Sequence, residues 1–407
     1  MDTLTDYVLW MQDFSFSQVP FREVDALILC NLAYYNFSSL FDGSKDTVYV
    51  RDAQKILDTG NVEVEIAIHD EKYTELLQAV VASRRFGDLR LTDYEEIKRA
   101  DPPVQYAVVT FRDDSGVAFI GYRGTDDSLA GWYEDFIASF SKTEAQEMAA
   151  EYAKRVIAKD PDMHWILGGH SKGGNLAVYA GTVMDPALFA HVERIYDLDG
   201  PGLSAEVMGD ISLDAALAKT TCILPEFSIV GKLFDMKVPD TRIIKSNAIG
   251  VLQHAPISWS VDHGKIAAVN SNHPISLWFN EFFSNWIACS DIEERRIFFD
   301  EMFEAISGGG STTISELLGE GLEGIRRIQS RLKNPSEVTR RVLHEFTKQA
   351  FFASILPAQD KKEEEEKGKR KRGKKEEQKE PEKKDKKLLQ KKDKKALQKK
   401  DKKARKK

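Results

Sequence analysis

The chain is poor in the features that mark secreted, membrane-spanning or metal-built proteins. Among 407 residues there are three cysteines, Cys30, Cys222 and Cys289, far apart and odd in number. That argues against a disulfide framework, and no Cys-x-x-Cys spacing exists for zinc or redox chemistry. No apolar run approaches the roughly 18 residues that a membrane helix needs. The first residues, Met1-Asp2-Thr3-Leu4-Thr5-Asp6, have neither the basic nor the apolar stretch of a secretory leader. The expected location is the cytoplasm, and no cofactor or metal is expected.

What is present divides the chain by charge. The net charge of −7 hides two parts: Asp360 to Lys407 carries 25 Lys and Arg against 12 Asp and Glu, a net of +13, which leaves the preceding residues at −20. An acidic globule therefore precedes a basic tail. A hydrophobic fraction of 42% is enough for a sizeable core.

Residues 1–100 read as mostly helical, with apolar stripes in Pro20 to Phe37 and in Glu71 to Arg85. The runs 105–111 and 117–122, separated by Asp113-Asp114-Ser115-Gly116, predict a β-hairpin. Helices and short apolar strands then alternate. Helices are expected near 143–158, 173–184 and 204–219, and strands near 164–167, 192–198, 221–229 and 241–245. This alternation predicts an α/β fold with a mostly parallel sheet flanked by helices. Residues 275–306 read as helical. After Ser307-Gly308-Gly309-Gly310-Ser311, a helical stripe runs from Ile314 to Ile328, and Asn334-Pro335-Ser336-Glu337 predicts a further helix start with Asn334 at the cap.

The chemistry concentrates in Trp165-Ile166-Leu167-Gly168-Gly169-His170-Ser171-Lys172-Gly173-Gly174. An apolar strand runs into Gly169-x-Ser171-x-Gly173 and then into a helix, which is the context a nucleophile elbow requires. The two glycines leave room for a very tight turn that lifts the Ser171 hydroxyl above the sheet. The amide of Lys172, at a helix N-terminus, can hold a developing oxyanion. A bland alternative is a glycine-rich connecting turn. The loop Tyr122-Arg123-Gly124-Thr125-Asp126 follows the hairpin and offers the Thr125 amide as second oxyanion donor; alternatively Thr125 or Asp126 caps a helix over 129–140.

A serine nucleophile needs a histidine base, and three histidines are suitably placed downstream. His254, in the loop after the 241–245 strand, is preferred over His263 and His273. For the acid, Asp199 at the end of the 192–198 strand gives the chain order Ser…Asp…His, with Glu226 and Asp235 as rivals. The plain alternative for Asp199 is a cap on the Gly200-Pro201-Gly202 turn.

With these residues in view, the chain resembles the class 3 lipases of the α/β-hydrolase superfamily over about 105–260, through Arg123-Gly124-Thr125 and Gly169-His170-Ser171-x-Gly173-Gly174. The region 1–350 resembles the bacterial Mbeg-like α/β-hydrolases more closely. The shared pieces there include the segment from Pro20 to Leu27, Asp199-Gly200-Pro201-Gly202 and Gln253-His254-Ala255-Pro256. The resemblance implies an α/β-hydrolase fold and a serine hydrolase with a small acyl ester or lipid as substrate. There are two departures. Class 3 lipases usually place the acid one strand later, where this chain has Ser228-Ile229-Val230-Gly231. That favours Asp199, or else a damaged triad and a binding module. Lys172 also replaces the usual apolar residue after the nucleophile.

The expected organisation is a hydrolase domain over 1–306, a helical appendage over 312–357 and a disordered Lys-rich tail over 358–407. The tail repeats Lys-Lys-Asp-Lys-Lys at 383–387 and 391–395 with no interleaved aromatics. Residues 361–407 could meet RNA or an anionic membrane surface through charge alone, or remain a solvated tail.

Overall fold

The computed structural model describes residues 2–43, 47–66, 71–100, 103–126, 142–234, 236–308, 321–332 and 334–355. The helix expected over 129–140, the rival acid Asp235 and the basic tail lie outside the described residues. By its internal contacts the chain forms two units, Met1–Leu343 and His344–Lys407. The described part of the second unit is the C-terminal end of a helix that spans Glu337–Ile355.

The first unit is built on an eight-stranded sheet whose spatial order equals its chain order. Its strands are β1 (Val48–Tyr49), β2 (Arg90–Ala100), β3 (Pro103–Arg112), β4 (Val117–Tyr122), β5 (His164–His170), β6 (Val192–Leu198), β7 (Thr220–Pro225) and β8 (Asp240–Ile244). Neighbours from β1 to β4 pair antiparallel and neighbours from β4 to β8 pair parallel. β3 and β4 form the expected hairpin.

Topology dictates what covers each face. When consecutive parallel strands are also neighbours, right-handed crossovers send the connecting helices to one face. Those helices are α4 (Glu144–Lys159) and α5 (Lys172–Thr182), and they bury Ala149, Ala153, Leu176 and Ala180 against Ile120, Tyr122, Trp165 and Leu167. The opposite face needs another cover, and the N-terminal helices supply it: α1 (Leu4–Met11), α2 (Glu23–Leu32) and α3 (Lys72–Ala82). Their Leu4, Leu27, Ile28, Leu76 and Val80 pack with Phe111, Phe119, Ile166, Tyr196 and Leu198. Alternate residues of each strand thus divide between the two cores, as the period of 2 requires.

One guanidinium ties the N-terminal cover together. Arg85 and Asp25 form an ion pair of 2.6 Å with both side chains fully buried. Arg85 also donates to the carbonyls of Val19 and Pro20, and Tyr7 donates to Asp25. Burial pushes the Asp25 carboxyl up and Arg85 opposes that shift.

The sequence reading places helix where β2 lies. Its charged residues, from Arg90 to Ala100, hide a strand because their partners come from elsewhere in the fold. Glu95 meets Arg155, Glu96 meets Arg123 and Lys98 meets Glu65. A bulge between Thr92 and Glu95, with Asp93 at φ 53°, also breaks the alternation that would have exposed the strand. The helix expected over 204–219 is two short ones, Ala205–Met208 and Asp214–Lys219.

After the last strand the chain continues as α6 (Pro274–Cys289), α7 (Ile292–Ser307), α8 (Gly321–Arg331) and α9 (Glu337–Ile355). The cap of α9 is Ser336, whose hydroxyl accepts from the Thr339 amide, and not Asn334.

Candidate active site

β5 ends at His170 and α5 begins at Lys172, so Ser171 alone makes the turn, at φ 57° and ψ −129°. A non-glycine residue there is strained and persists only where its surroundings hold it. The flanking glycines explain why the turn closes. A Cβ on Gly169 would strike the backbone of Gly173, and one on Gly173 would strike the Tyr122 carbonyl. The Ser171 amide donates to the Leu198 carbonyl at 2.9 Å, which fixes the turn to the next strand.

Register places the carboxylate. His170 pairs with Leu198, so Ser171 and Asp199 are the next residues beyond two adjacent parallel strands. Asp199 is fully buried and also has positive φ, 53°. Its amide donates to Ile223 on β7 at 2.9 Å. One carboxylate oxygen, Oδ1, accepts from the Ser228 hydroxyl and from the Gly231 amide at 3.1 Å.

The other oxygen faces His254. The loop Gly250–His254 follows β8 as a 3-10 turn and returns over the ends of β5 and β6. Nδ1 of His254 lies 2.6 Å from Asp199 Oδ2, and Nε2 lies 3.0 Å from Ser171 Oγ. Two contacts hold Gln253 beside it: the Phe227 amide donates to its side chain, and the buried Trp259 indole donates to its carbonyl. The structure therefore brings Ser171, His254 and Asp199 into one hydrogen-bonded row.

Thr125 is buried just beyond Gly124, where a Cβ would strike the Tyr34 hydroxyl and the His170 carbonyl. The loop carrying Thr125 is thus packed onto the residue before Ser171. Lys172 opens α5, and its side chain is buried with that turn. The rival histidines lie elsewhere. His263 sits at an exposed hairpin turn paired with Asp262 at 2.8 Å. His273 caps α6, accepting from the Ile275 amide at 3.3 Å. Glu226 makes its backbone contacts with Ile244 and His273.

Three site features go beyond the sequence reading. His170 falls inside the elbow, yet its ring meets His254, with ring centroids 4.5 Å apart. Tyr34 reaches His170 from the end of α2. Asp197, one turn of the pleat before Asp199, is buried, accepts from the Gly200 amide at 3.0 Å, and is pushed up to about 7 by burial. Only the alternation of β5 could have shown that His170 faces the N-terminal helices. Among the described residues, no three His, Cys, Asp or Glu side chains gather as a metal ion would need. No described helix is long and apolar enough to cross a membrane.

A mostly parallel sheet covered on both faces, with a strained serine at a strand-to-helix elbow and a histidine from a loop after β8, defines an α/β-hydrolase fold. A family model described as Mbeg1-like matches residues 80–304, more than half of the chain, and the chain belongs to that family. No curated protein matches it. Among solved structures, it is similar to a mutant form of MDLA from Penicillium cyclopium at 12% identity and a TM-score of 0.38, covering 66% of this chain and 86% of that one. It is also similar to the Lip2 lipase of Yarrowia lipolytica at 13% identity and a TM-score of 0.33, covering 60% and 93%.

Proposed function

We propose that the protein is a serine ester hydrolase acting on a small acyl ester or lipid. The observation that carries this reading is the row Ser171 Oγ, His254 Nε2, His254 Nδ1 and Asp199 Oδ2, with spacings of 3.0 Å and 2.6 Å. Ser171 Oγ attacks the ester carbonyl while its proton passes to His254 Nε2. The tetrahedral oxyanion is held by the amides of Lys172 and Thr125. His254 then protonates the departing alcohol, leaving an acyl-Ser171. Water, deprotonated by the same nitrogen, releases the acid and restores the hydroxyl. Asp199 holds the imidazole in the tautomer that presents a lone pair to Ser171 and stabilises the imidazolium that forms.

Exposed apolar residues on the loop that carries His254 favour an apolar acyl group. Ile249, Val251 and Leu252, on the loop that ends in His254, are exposed, Ile249 by 85%. The binding-module reading rests on the missing aspartate at Ser228, and the Ser171–His254 contact counts against it.

The test is hydrolysis of p-nitrophenyl esters from acetate to decanoate by wild type and Ser171→Ala. Turnover by wild type that Ser171→Ala lacks supports the proposal. Turnover that survives in Ser171→Ala overturns it.

A further inference from the structure

We infer that His170 and Tyr34 form a positioning pair for His254, so that the N-terminal helical cover takes part in building the active site. The inference rests on the proposed role of His254 as base.

The tautomer of His170 follows from its partners. Its Nε2 lies 2.7 Å from the His254 carbonyl, which can only accept, so Nε2 carries the hydrogen. Nδ1 then has a lone pair, and it accepts from the Tyr34 hydroxyl at 2.7 Å. Every polar atom of the ring is used. His170 is fully buried, and burial together with the adjacent His254 holds its imidazole well below the usual histidine range. The ring beside His254 therefore stays neutral, and an imidazolium can form on His254 without facing a second cation.

The geometry shows what this pair supplies. Ser171 and Asp199 hang on adjacent strands and are fixed by the sheet. His254 comes from a loop, and its ring must meet both at once. His170 belongs to β5, the strand that carries Ser171, so its bond to the His254 carbonyl ties the loop to the nucleophile's own strand. Tyr34 holds the donor aimed. The Trp259 ring also meets His170 in a T-shaped contact, with centroids 6.1 Å apart. Gly124, where a side chain would strike both Tyr34 and the His170 carbonyl, brings the Thr125 loop to the same point.

The role is separable from plain packing, because a glutamine amide can reach the His254 carbonyl as Nε2 does while leucine cannot. The experiment follows the rate of Ser171 phosphonylation by an alkyl fluorophosphonate as a function of probe concentration, giving kinact and KI. It uses the full chain for wild type, His170→Leu, His170→Gln and Tyr34→Phe, with melting temperatures as a check on folding. The expected result is a kinact at least 10-fold lower in folded His170→Leu, with KI within about 2-fold and recovery to within about 3-fold in His170→Gln. Tyr34→Phe, which removes the donor to Nδ1 and so loosens the aim of the His170 ring, should lose about 3-fold to 10-fold in kinact. Should His170→Leu fail to fold, Tyr34→Phe and His170→Gln decide: wild-type kinact in Tyr34→Phe overturns the inference. Folded His170→Leu that reacts at the wild-type rate also overturns it. A glutamine variant no faster than the leucine variant contradicts the hydrogen-bond role. No phosphonylation of wild type would instead sink the proposed hydrolase function and the inference with it.

Discussion

Ser228 and Asp199 stand 29 residues apart, and the Ser228 hydroxyl donates to the carboxylate that faces His254. The resemblance to class 3 lipases puts the triad acid in the Ser228 segment. In this chain that segment holds a donor, and the carboxylate it meets comes from one strand earlier. The position that looked like a loss in the sequence thus contacts the same carboxylate from the other side.

Asp199→Asn should therefore be severe. An asparagine amide facing Nδ1 leaves Nε2 protonated, so it cannot take the Ser171 proton. A fall in kcat of roughly 1,000-fold to 10,000-fold is expected, from the known effect of this change on such triads. Ser228→Ala removes one of two donors to Oδ1 and should cost about 10-fold to 100-fold, in line with loss of a single charge-assisted hydrogen bond. Initial rates on the best p-nitrophenyl ester check both. Equal losses in the two variants would contradict the assignment.

The elbow makes a stability prediction. A methyl group at Gly169 meets the Gly173 backbone, and one at Gly173 meets the Tyr122 carbonyl. Neither obstacle is a flexible side chain. Gly169→Ala should lose roughly 3 kcal/mol or more, the range of severe core disruptions. Chemical denaturation measures it, and a wild-type midpoint would show that the turn is looser than described.

The Asp25–Arg85 pair locks the N-terminal cover. Removing one partner strands a buried charge, so Arg85→Met should destabilise by roughly 3–5 kcal/mol, whereas Asp25→Leu with Arg85→Met should recover much of that loss. A double-mutant cycle by urea unfolding reads the coupling. Additive losses would contradict the pairing.

Asp197 predicts a pH dependence. Its folded value of about 7 lies above the ordinary 3.8, so the folded state binds the extra proton between them. The stability from this group is complete below pH 4 and is lost as pH rises through 7. Three units correspond to about 4 kcal/mol as an upper bound. Asp197→Asn should leave the melting temperature nearly unchanged relative to wild type at low pH and exceed it at pH 8. A gap that does not grow with pH would contradict a buried neutral carboxyl.

Much of this was legible in the sequence, for physical reasons. Gly169 and Gly173 mark the elbow because only glycine fits there, and the apolar runs of β5 and β7 mark strands buried on both faces. β2 was hidden because its charges are satisfied by Arg155, Arg123 and Glu65, partners that local pattern cannot reveal. His170 precedes Ser171 directly, which hides it from a search for a base. It is near in sequence, but its side chain points to the other face of the strand, where Tyr34 lies just past the end of α2. The one-sided crossover topology explains why the other face of the sheet needs a cover from residues before 90, a requirement that appears only once the strand order is known.

The central claim is that Ser171 is a nucleophile activated by His254. It is tested most directly by incubating wild type, Ser171→Ala and His254→Ala with a fluorophosphonate and locating the adduct by peptide mass spectrometry. The account predicts one adduct per wild-type chain, on the peptide containing Ser171, and none in either variant over the same time. An adduct on another residue, or no adduct on folded wild-type protein, would contradict it.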